Sequence, residues 1–256
     1  AVAAPLLAGQ SALGSAGDPV LADRWLAEGG VEFAARTAVE LSSMICTEAD
    51  LPRAQFAPVT RPGRRGYRCR GNPLVLPTIA RVRAVLAACD EDDHARVVEA
   101  LAGMRTDDPH RRVATSFLVP TMTAWVDADC ATVASARCYR LRQLLMTAAS
   151  TAGHAAKLVH PGVPAWLLRL PGVVTALVEG VGSPVAPSLD AWIDDQRLTG
   201  AQRRRLLSMI ALLPSDEAFG LLLGRIDLPG AALVIADAAA RFPARAVRLL
   251  ATAAAT

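Results

Sequence analysis

Ala218-Phe219-Gly220-Leu221-Leu222 and Ala246-Val247-Arg248-Leu249-Leu250 overlay at an offset of 28 residues (218 to 246), and each block follows a proline, Pro214 or Pro243. A recurrence near 30 residues is the spacing of a helix pair that stacks on its neighbour, because one pair alone cannot bury its apolar faces. The flanking sequence agrees. Residues 188–198, 199–213, 215–226, 229–240 and 243–255 read as short helices that open on Ser or Thr caps or on prolines. The links between them are only a few residues long, which makes sequential helices antiparallel neighbours.

Composition extends this reading to the whole chain. Of 256 residues, 52% are hydrophobic but only 4% aromatic, and 51 are alanine by direct count. Ala and Leu favour helix, whereas β-branched and aromatic residues favour strands, so a sandwich or barrel is excluded. The apolar fraction also excludes global disorder. The expected fold is all-α, an irregular helical bundle passing into a HEAT-like helix-pair solenoid, with about eleven to thirteen helices.

Punctuation sets the expected divisions. Asp18-Pro19 caps a helix that Gly29-Gly30 stops, and a second helix follows over residues 31–46 with Phe33, Val39, Leu41 and Ile45 on its buried face. Residues 1–50 are therefore N-terminal helices. Residues 51–72 hold Pro52, Pro58, Pro62 and three glycines, and read as an exposed Arg/Pro/Gly loop. A helical bundle is expected over 73–198, with starts at Asn72-Pro73, at the acidic run Asp90–Asp93 and at Asp108-Pro109. Residues 129–149 form the longest uninterrupted pattern, and the prolines and glycines between His160 and Pro187 leave only short apolar helices. HEAT-like pairs occupy 199–256. Leu249 and Leu250 close the pattern still seeking partners, so the native protein is expected to continue or something else to cover that end. The charge-free opening, Ala1 to Gly17, lacks the basic start of a signal peptide and reads as the beginning of a fragment.

The segment from Leu213-Pro214-Ser215-Asp216-Glu217 to Arg225-Ile226-Asp227, followed by Arg241-Phe242-Pro243-Ala244-Arg245 to Ala251, resembles part of large actinobacterial proteins. Those proteins pair HEAT-like repeats, often with a WGR module, with a C-terminal domain named after a molybdate metabolism regulator. The resemblance covers residues 199–256. It implies a helical scaffold and hands over no catalytic residue, and no Trp-Gly-Arg tripeptide is present.

Chemistry-bearing patterns are sparse. Arg61-Pro62-Gly63-Arg64-Arg65-Gly66-Tyr67-Arg68-Cys69-Arg70-Gly71 holds five arginines and no acid. Arg61, Arg64, Arg65, Arg68 and Arg70 could fork onto phosphates while Tyr67 stacks on a base; the plainer alternative is a solvated loop balanced by the four acids at 90–93. Asp90 and His94 share a helix face only if the helix already includes Asp90, so an acidic helix start is the plainer account than a metal site. Arg241, Arg245 and Arg248 form a basic ridge on one helix face. The tryptophans Trp25, Trp125, Trp166 and Trp192 read as core anchors.

Other classes lack their signatures. There is no H-E-x-x-H, no G-x-S-x-G and no P-loop, and Lys157 is the only lysine beside 26 arginines. Five cysteines without a C-x-x-C pair signal neither a disulfide framework nor a zinc ribbon, which suits reduced thiols in the cytoplasm. The longest charge-free runs inside the chain are shorter than the roughly 18 residues a membrane span needs. The expected role is a non-catalytic scaffold without cofactor or metal, in a larger cytoplasmic protein. Its partner is another protein or a neighbouring domain, and the alternative is a nucleic-acid-binding module using the Arg61 to Arg70 loop.

Overall fold

The computed structural model describes residues 20–45, 57–58, 75–135, 139–170 and 172–254. Among them the chain is all-α: thirteen α-helices and two 3-10 turns make up its regular structure, apart from one two-residue ladder. The opening helix, α1 (Val20–Ser42), keeps the interruption expected at the glycine pair. Gly30 has φ 75° and ψ −175°, so the helix breaks there and restarts at once. It then ends at Ser42, four residues before the expected end. Ser42 Oγ and Ser43 Oγ donate to the carbonyls of Ala38 (2.8 Å) and Glu40 (2.7 Å), an alternative to continued helix. Met44–Ile45 (β1) runs extended and pairs antiparallel with Ala57–Pro58 (β2). Phe33, expected in the core, is 47% exposed. The remainder of the 51–72 loop lies outside the described residues.

Four helices wrap around α1 and its neighbours: α2 (Val75–Leu86), α3 (Glu91–Gly103), α4 (Pro109–Leu118) and α5 (Thr123–Ser135). Ala22, Ala34, Ala35, Ala38 and Val39 are buried on α1, and small side chains let α2, α3 and α4 approach its backbone closely. The expected caps of α3 and α4 are present. Asp90 accepts from Asp93 N–H (2.8 Å), with Glu91, Asp92 and Asp93 in the first turn, and Asp108 accepts from His110 N–H (2.9 Å) ahead of Pro109. The pattern over 129–149 is not one helix. Its described residues fall in two helices, α5 and α6 (Tyr139–Met146).

Next come α7 (Ala152–Leu158), a 3-10 turn (Ala165–Arg169), α8 (Val173–Val181), a second 3-10 turn (Ser183–Val185) and α9 (Ala186–Ile193). Trp192 is fully buried and Trp25 and Trp125 are packed against the core, whereas Trp166 is 43% exposed. Gly180 on α8 permits a close approach, since a Cβ there would lie 2.3 Å from the carbonyl oxygen of Ala149.

The C-terminal third contains α10 (Gly200–Ile210), α11 (Asp216–Leu223), α12 (Ala231–Arg241) and α13 (Pro243–Ala254). Thr199 and Gln202 form a reciprocal capping box on α10, and Ser215 accepts from Ala218 N–H on α11. Each helix packs on the next and on the next but one: α9 on α10 and α11, α10 on α11 and α12, α11 on α12 and α13. Three buried positions recur at an offset of 28. Leu206, Leu207 and Ile210 are buried on α10, and Val234, Ile235 and Ala238 at +28 are buried on α12.

Two glycines test the packing in opposite directions. Gly220 lies inside α11 with open space around a Cβ, so Gly220→Ala should raise stability by about 0.5–1 kcal/mol through helix propensity. Gly180→Ala gains the same propensity but drives a methyl into Ala149, and should lower stability by roughly 1–3 kcal/mol. Denaturant unfolding of the two variants checks both signs.

Candidate functional site

The strongest concentration of polar chemistry surrounds Asp129, whose side chain is 1% exposed. Asp129 occupies the i+3 place of the apolar stripe Val126, Cys130, Val133 on α5, so the helix delivers a carboxylate to the core. Arg105 Nη2 donates to both of its oxygens (3.1 Å each), Arg112 Nε to Oδ1 (2.9 Å) and Ser116 Oγ to Oδ2 (2.6 Å). The Arg105 Nη1 group donates to Thr115 Oγ1 (2.7 Å), Ser116 Oγ (3.1 Å) and Arg112 O (3.0 Å), and its guanidinium lies 4.7 Å over the Trp125 ring. Burial pushes the Arg105 pKa down, and the Asp129 charge opposes that shift. Both carboxylate oxygens are occupied by donors, so the cluster ties the turn after α3 to α4 and α5 rather than presenting a free base.

A second cluster uses helix ends. Arg142 is 3% exposed and donates to Val133 O and Ala134 O at the end of α5 and to Lys157 O and Leu158 O at the end of α7. Helix C-termini leave carbonyls unpaired and carry negative potential, so a guanidinium is held there without a carboxylate. Its Nη1 also lies 3.4 Å from His160 Nε2, and His160 Nδ1 lies 2.9 Å from Pro161 O. Arg83 works similarly, donating to Thr147 O (3.2 Å) from a position 4.7 Å over Phe117, and burial lowers its pKa to about 10.

His154, Asp127, Lys157 and Cys130 bring together residue types that occur in catalytic groups. His154 is fully buried, and its Nδ1 accepts from Ser150 N–H (3.2 Å), which places the ring proton on Nε2. Nε2 is 3.1 Å from Asp127 Oδ1, too poorly aligned for a hydrogen bond, and Lys157 Nζ is 3.6 Å from the same oxygen. Burial keeps the His154 pKa low, and it pushes the Cys130 thiol up to about 12, leaving it protonated and not nucleophilic at neutral pH.

Toward the C-terminus, charge pairs join successive layers. Asp195 accepts from Arg197 Nε (2.9 Å) and Nη2 (2.7 Å), from Arg197 N–H (2.9 Å) and from Gly162 N–H (2.9 Å), which staples the 160–163 turn to the end of α9. The Arg197 guanidinium holds its carboxyl well below the usual range, outweighing desolvation, and the two N–H groups add to this. Arg225 reaches back from the turn after α11 to Asp190 (2.8 and 2.9 Å) and Asp194. Arg245 and Arg248 on α13 reach back to Asp216 on α11 (2.7–2.9 Å).

Several candidates read from sequence thus have a place. Arg245 and Arg248 of the basic ridge serve an ion pair inside the fold, and the Asp90 run is a helix start; among the described residues no group of three His, Cys, Asp or Glu could hold a metal ion. Arg61, Arg64, Arg65, Tyr67, Arg68 and Arg70 lie outside the described residues. Sequence reading missed Asp129, Arg105, Arg142 and Asp195. Asp129 had a signal, an acid in step with Val126, Cys130 and Val133; the partners had none, since they come from separate elements.

The surface offers two further features. A groove of about 550 Å³ on α1 is lined by Glu32, Phe33, Arg36, Glu40 and Met104. Its charges are already paired, Arg36 with Glu32 (3.5 Å) and Arg111 with Glu40 (2.6 Å). At the far end, Leu233, Val247 and Leu250 are 72%, 71% and 42% exposed.

The model of the family described as the YehI second domain matches residues 1–163. The chain belongs to that family. The matched part spans α1 to α7, with the Asp129 cluster and Arg142, and ends at the turn that Asp195 staples. No curated protein and no solved structure matches the chain. No described helix is long and apolar enough to cross a membrane.

Removing the Asp129 carboxylate strands two arginines, so Asp129→Ala should cost about 3–5 kcal/mol in urea unfolding, and exposed Asp216→Ala much less. Acid should weaken the fold in two windows. The Asp195 carboxyl is depressed in the fold, so its contribution is present above about pH 4 and lost below; Asp195→Asn should lower the neutral-pH midpoint and flatten that loss. The His154 pKa is also depressed, so the unfolded chain binds the proton first and stability falls below about pH 6.5. His154→Gln should remove that earlier slope when midpoints are measured across the range.

Proposed function

We propose that this chain is a non-catalytic helical scaffold segment of a larger cytoplasmic protein, presenting a helical surface to a protein partner or neighbouring domain. The observation that carries the reading is the use of its buried ionisable groups. Asp129, Arg105, Arg142 and Asp195 are committed to bonds between helices, and burial leaves the Cys130 thiol protonated. The i to i+1 and i to i+2 packing from α9 to α13 supports a HEAT-like helix-pair solenoid there, the architecture that builds extended binding surfaces. The resemblance of residues 199–256 to the repeat segments of actinobacterial WGR and molybdate-regulator-type proteins points the same way.

Cross-linking of the chain in a cell extract tests the reading. The expected result is protein cross-links on the helical surface that persist as salt is raised. A complex with nucleic acid whose affinity falls steeply with salt, and is lost when Arg64, Arg65, Arg68 and Arg70 are changed to Ser, transfers the function to the Arg loop. Turnover of a substrate by the chain alone overturns both.

A further inference from the structure

The turn between α6 and α7, residues 147–151, is fastened from several directions. Arg83 on α2 donates to Thr147 O (3.2 Å), and the Ala149 carbonyl lies so close to Gly180 on α8 that a Cβ there would be 2.3 Å away. Ser150 N–H donates to His154 Nδ1 (3.2 Å), and this bond alone has a titratable acceptor. The His154 N–H in turn donates to Thr151 Oγ1 (3.1 Å), so His154 closes the start of α7 with both its backbone and its ring. α7 is seven residues long and packs on α5 and α6 before it and on α8, the 183–185 turn and α9 after it. So short a helix nucleates weakly, and its start depends on these two bonds.

A proton on the ring reverses what the ring can do. Neutral imidazole with its hydrogen on Nε2 accepts at Nδ1, whereas imidazolium donates from both nitrogens. In the buried place that His154 occupies, Nδ1–H would meet Ser150 N–H donor to donor, and the bond would be lost. On the other side of the ring, Nε2 is 3.1 Å from Asp127 Oδ1 and has no hydrogen-bond partner in the neutral arrangement. Asp127 is 54% exposed, so the charged ring finds its counter-ion toward solvent.

Few charges among the described residues face the imidazole. α5 offers Asp127, the protonated Cys130 thiol and Asp129, which Arg105, Arg112 and Ser116 occupy. α7 offers Lys157, 3.6 Å from the same Asp127 oxygen. On α6, Arg142 is committed to helix-end carbonyls, Tyr139 packs edge-on to Trp166 and Arg140 is half-buried. Glu179 on α8 is exposed, Asp190 on α9 is paired with Arg225, and the 183–185 turn carries no charge. The charges that act on the ring are Asp127, which favours the imidazolium, and Lys157, which opposes it.

We infer that His154 is a proton-operated latch on the 147–151 turn, closed while the neutral ring holds Ser150 N–H and open when the imidazolium leaves it for Asp127 and frees the start of α7. The open ring takes a proton more readily than the buried one. The latch therefore holds above the ordinary histidine pKa of about 6.5 and opens as the pH falls below it. This regulation does not depend on which partner the chain binds.

Amide hydrogen exchange of the whole chain tests the latch. Corrected for its intrinsic pH dependence, protection at Ser150 and at the start of α7 should fall roughly tenfold between about pH 7.5 and about pH 5.5. The opening should be insensitive to low urea, because a local opening exposes little surface. Asp127→Asn should move the opening to lower pH and Lys157→Gln to higher pH, since one removes the receiving carboxylate and the other its competing cation. His154→Asn keeps an acceptor for Ser150 that takes no proton, and should abolish the response. Unchanged protection overturns the inference, as do a loss that follows urea as steeply as α2 does, shifts of the wrong sign, or a response that survives His154→Asn. If that variant does not fold, the imidazole nitrogen shifts of the unaltered chain decide. Nδ1 should be an unprotonated acceptor at neutral pH and titrate with the midpoint of Ser150 exchange; separate midpoints overturn the inference. None of these outcomes bears on the scaffold reading, which the cross-links decide.

Discussion

A single buried carboxylate joins three elements of the family-matched part of the molecule. Asp129 draws Arg105, Arg112 and Ser116 into the space between α4, α5 and the turn after α3, and each of those groups makes further bonds to its surroundings. Desolvating an aspartate costs several kcal/mol and is offset only when both oxygens are hydrogen-bonded in good geometry. That requirement restricts how α4 and α5 can sit, in a way that the apolar contacts of Val113, Phe117, Val126 and Val133 do not, because hydrophobic contact is not directional. The same saturation removes Asp129 from chemistry: a carboxylate holding two guanidiniums and a hydroxyl has no vacant lone pair aimed at a ligand.

Arginine extends this logic beyond ion pairs. Arg142 gathers carbonyls from the ends of two helices, Arg203 reaches Ile193 O and Asp195 O, and Arg225 spans two aspartates. Each bridge needs several donors fixed in a plane, which a guanidinium has and an ammonium lacks. Lys157, the one lysine, makes only a long contact to Asp127 from a half-exposed position. Among the described residues, these arginines fasten together short helices whose own nucleation is weak.

Alanine has two uses. On α1, buried Ala22, Ala34, Ala35 and Ala38 bring neighbouring backbones close, so the irregular half is packed around small side chains. On α12 and α13 much of the alanine faces outward, with Ala236, Ala240, Ala251 and Ala254 exposed.

Helix class, most starts and many stops were legible because they depend on groups near in sequence. Asp90, Asp108, Ser215 and the Thr199–Gln202 box act on backbone N–H groups two or three residues away, and Gly30 breaks α1 by its own φ. The recurrence at 28 was legible for the same reason, as a repeated local pattern. The division of the 129–149 pattern, the outward turn of Phe33 and the pairing of Met44–Ile45 with Ala57–Pro58 were not. The site was legible least: Asp129 stood in step with an apolar stripe, but Arg105, Arg112 and Ser116 arrive from 13 to 24 residues away. Sequence alone determined a chain of short capped helices. Tertiary structure decided which charges are buried and which apolar side chains stay exposed, because both depend on what other elements place against a surface.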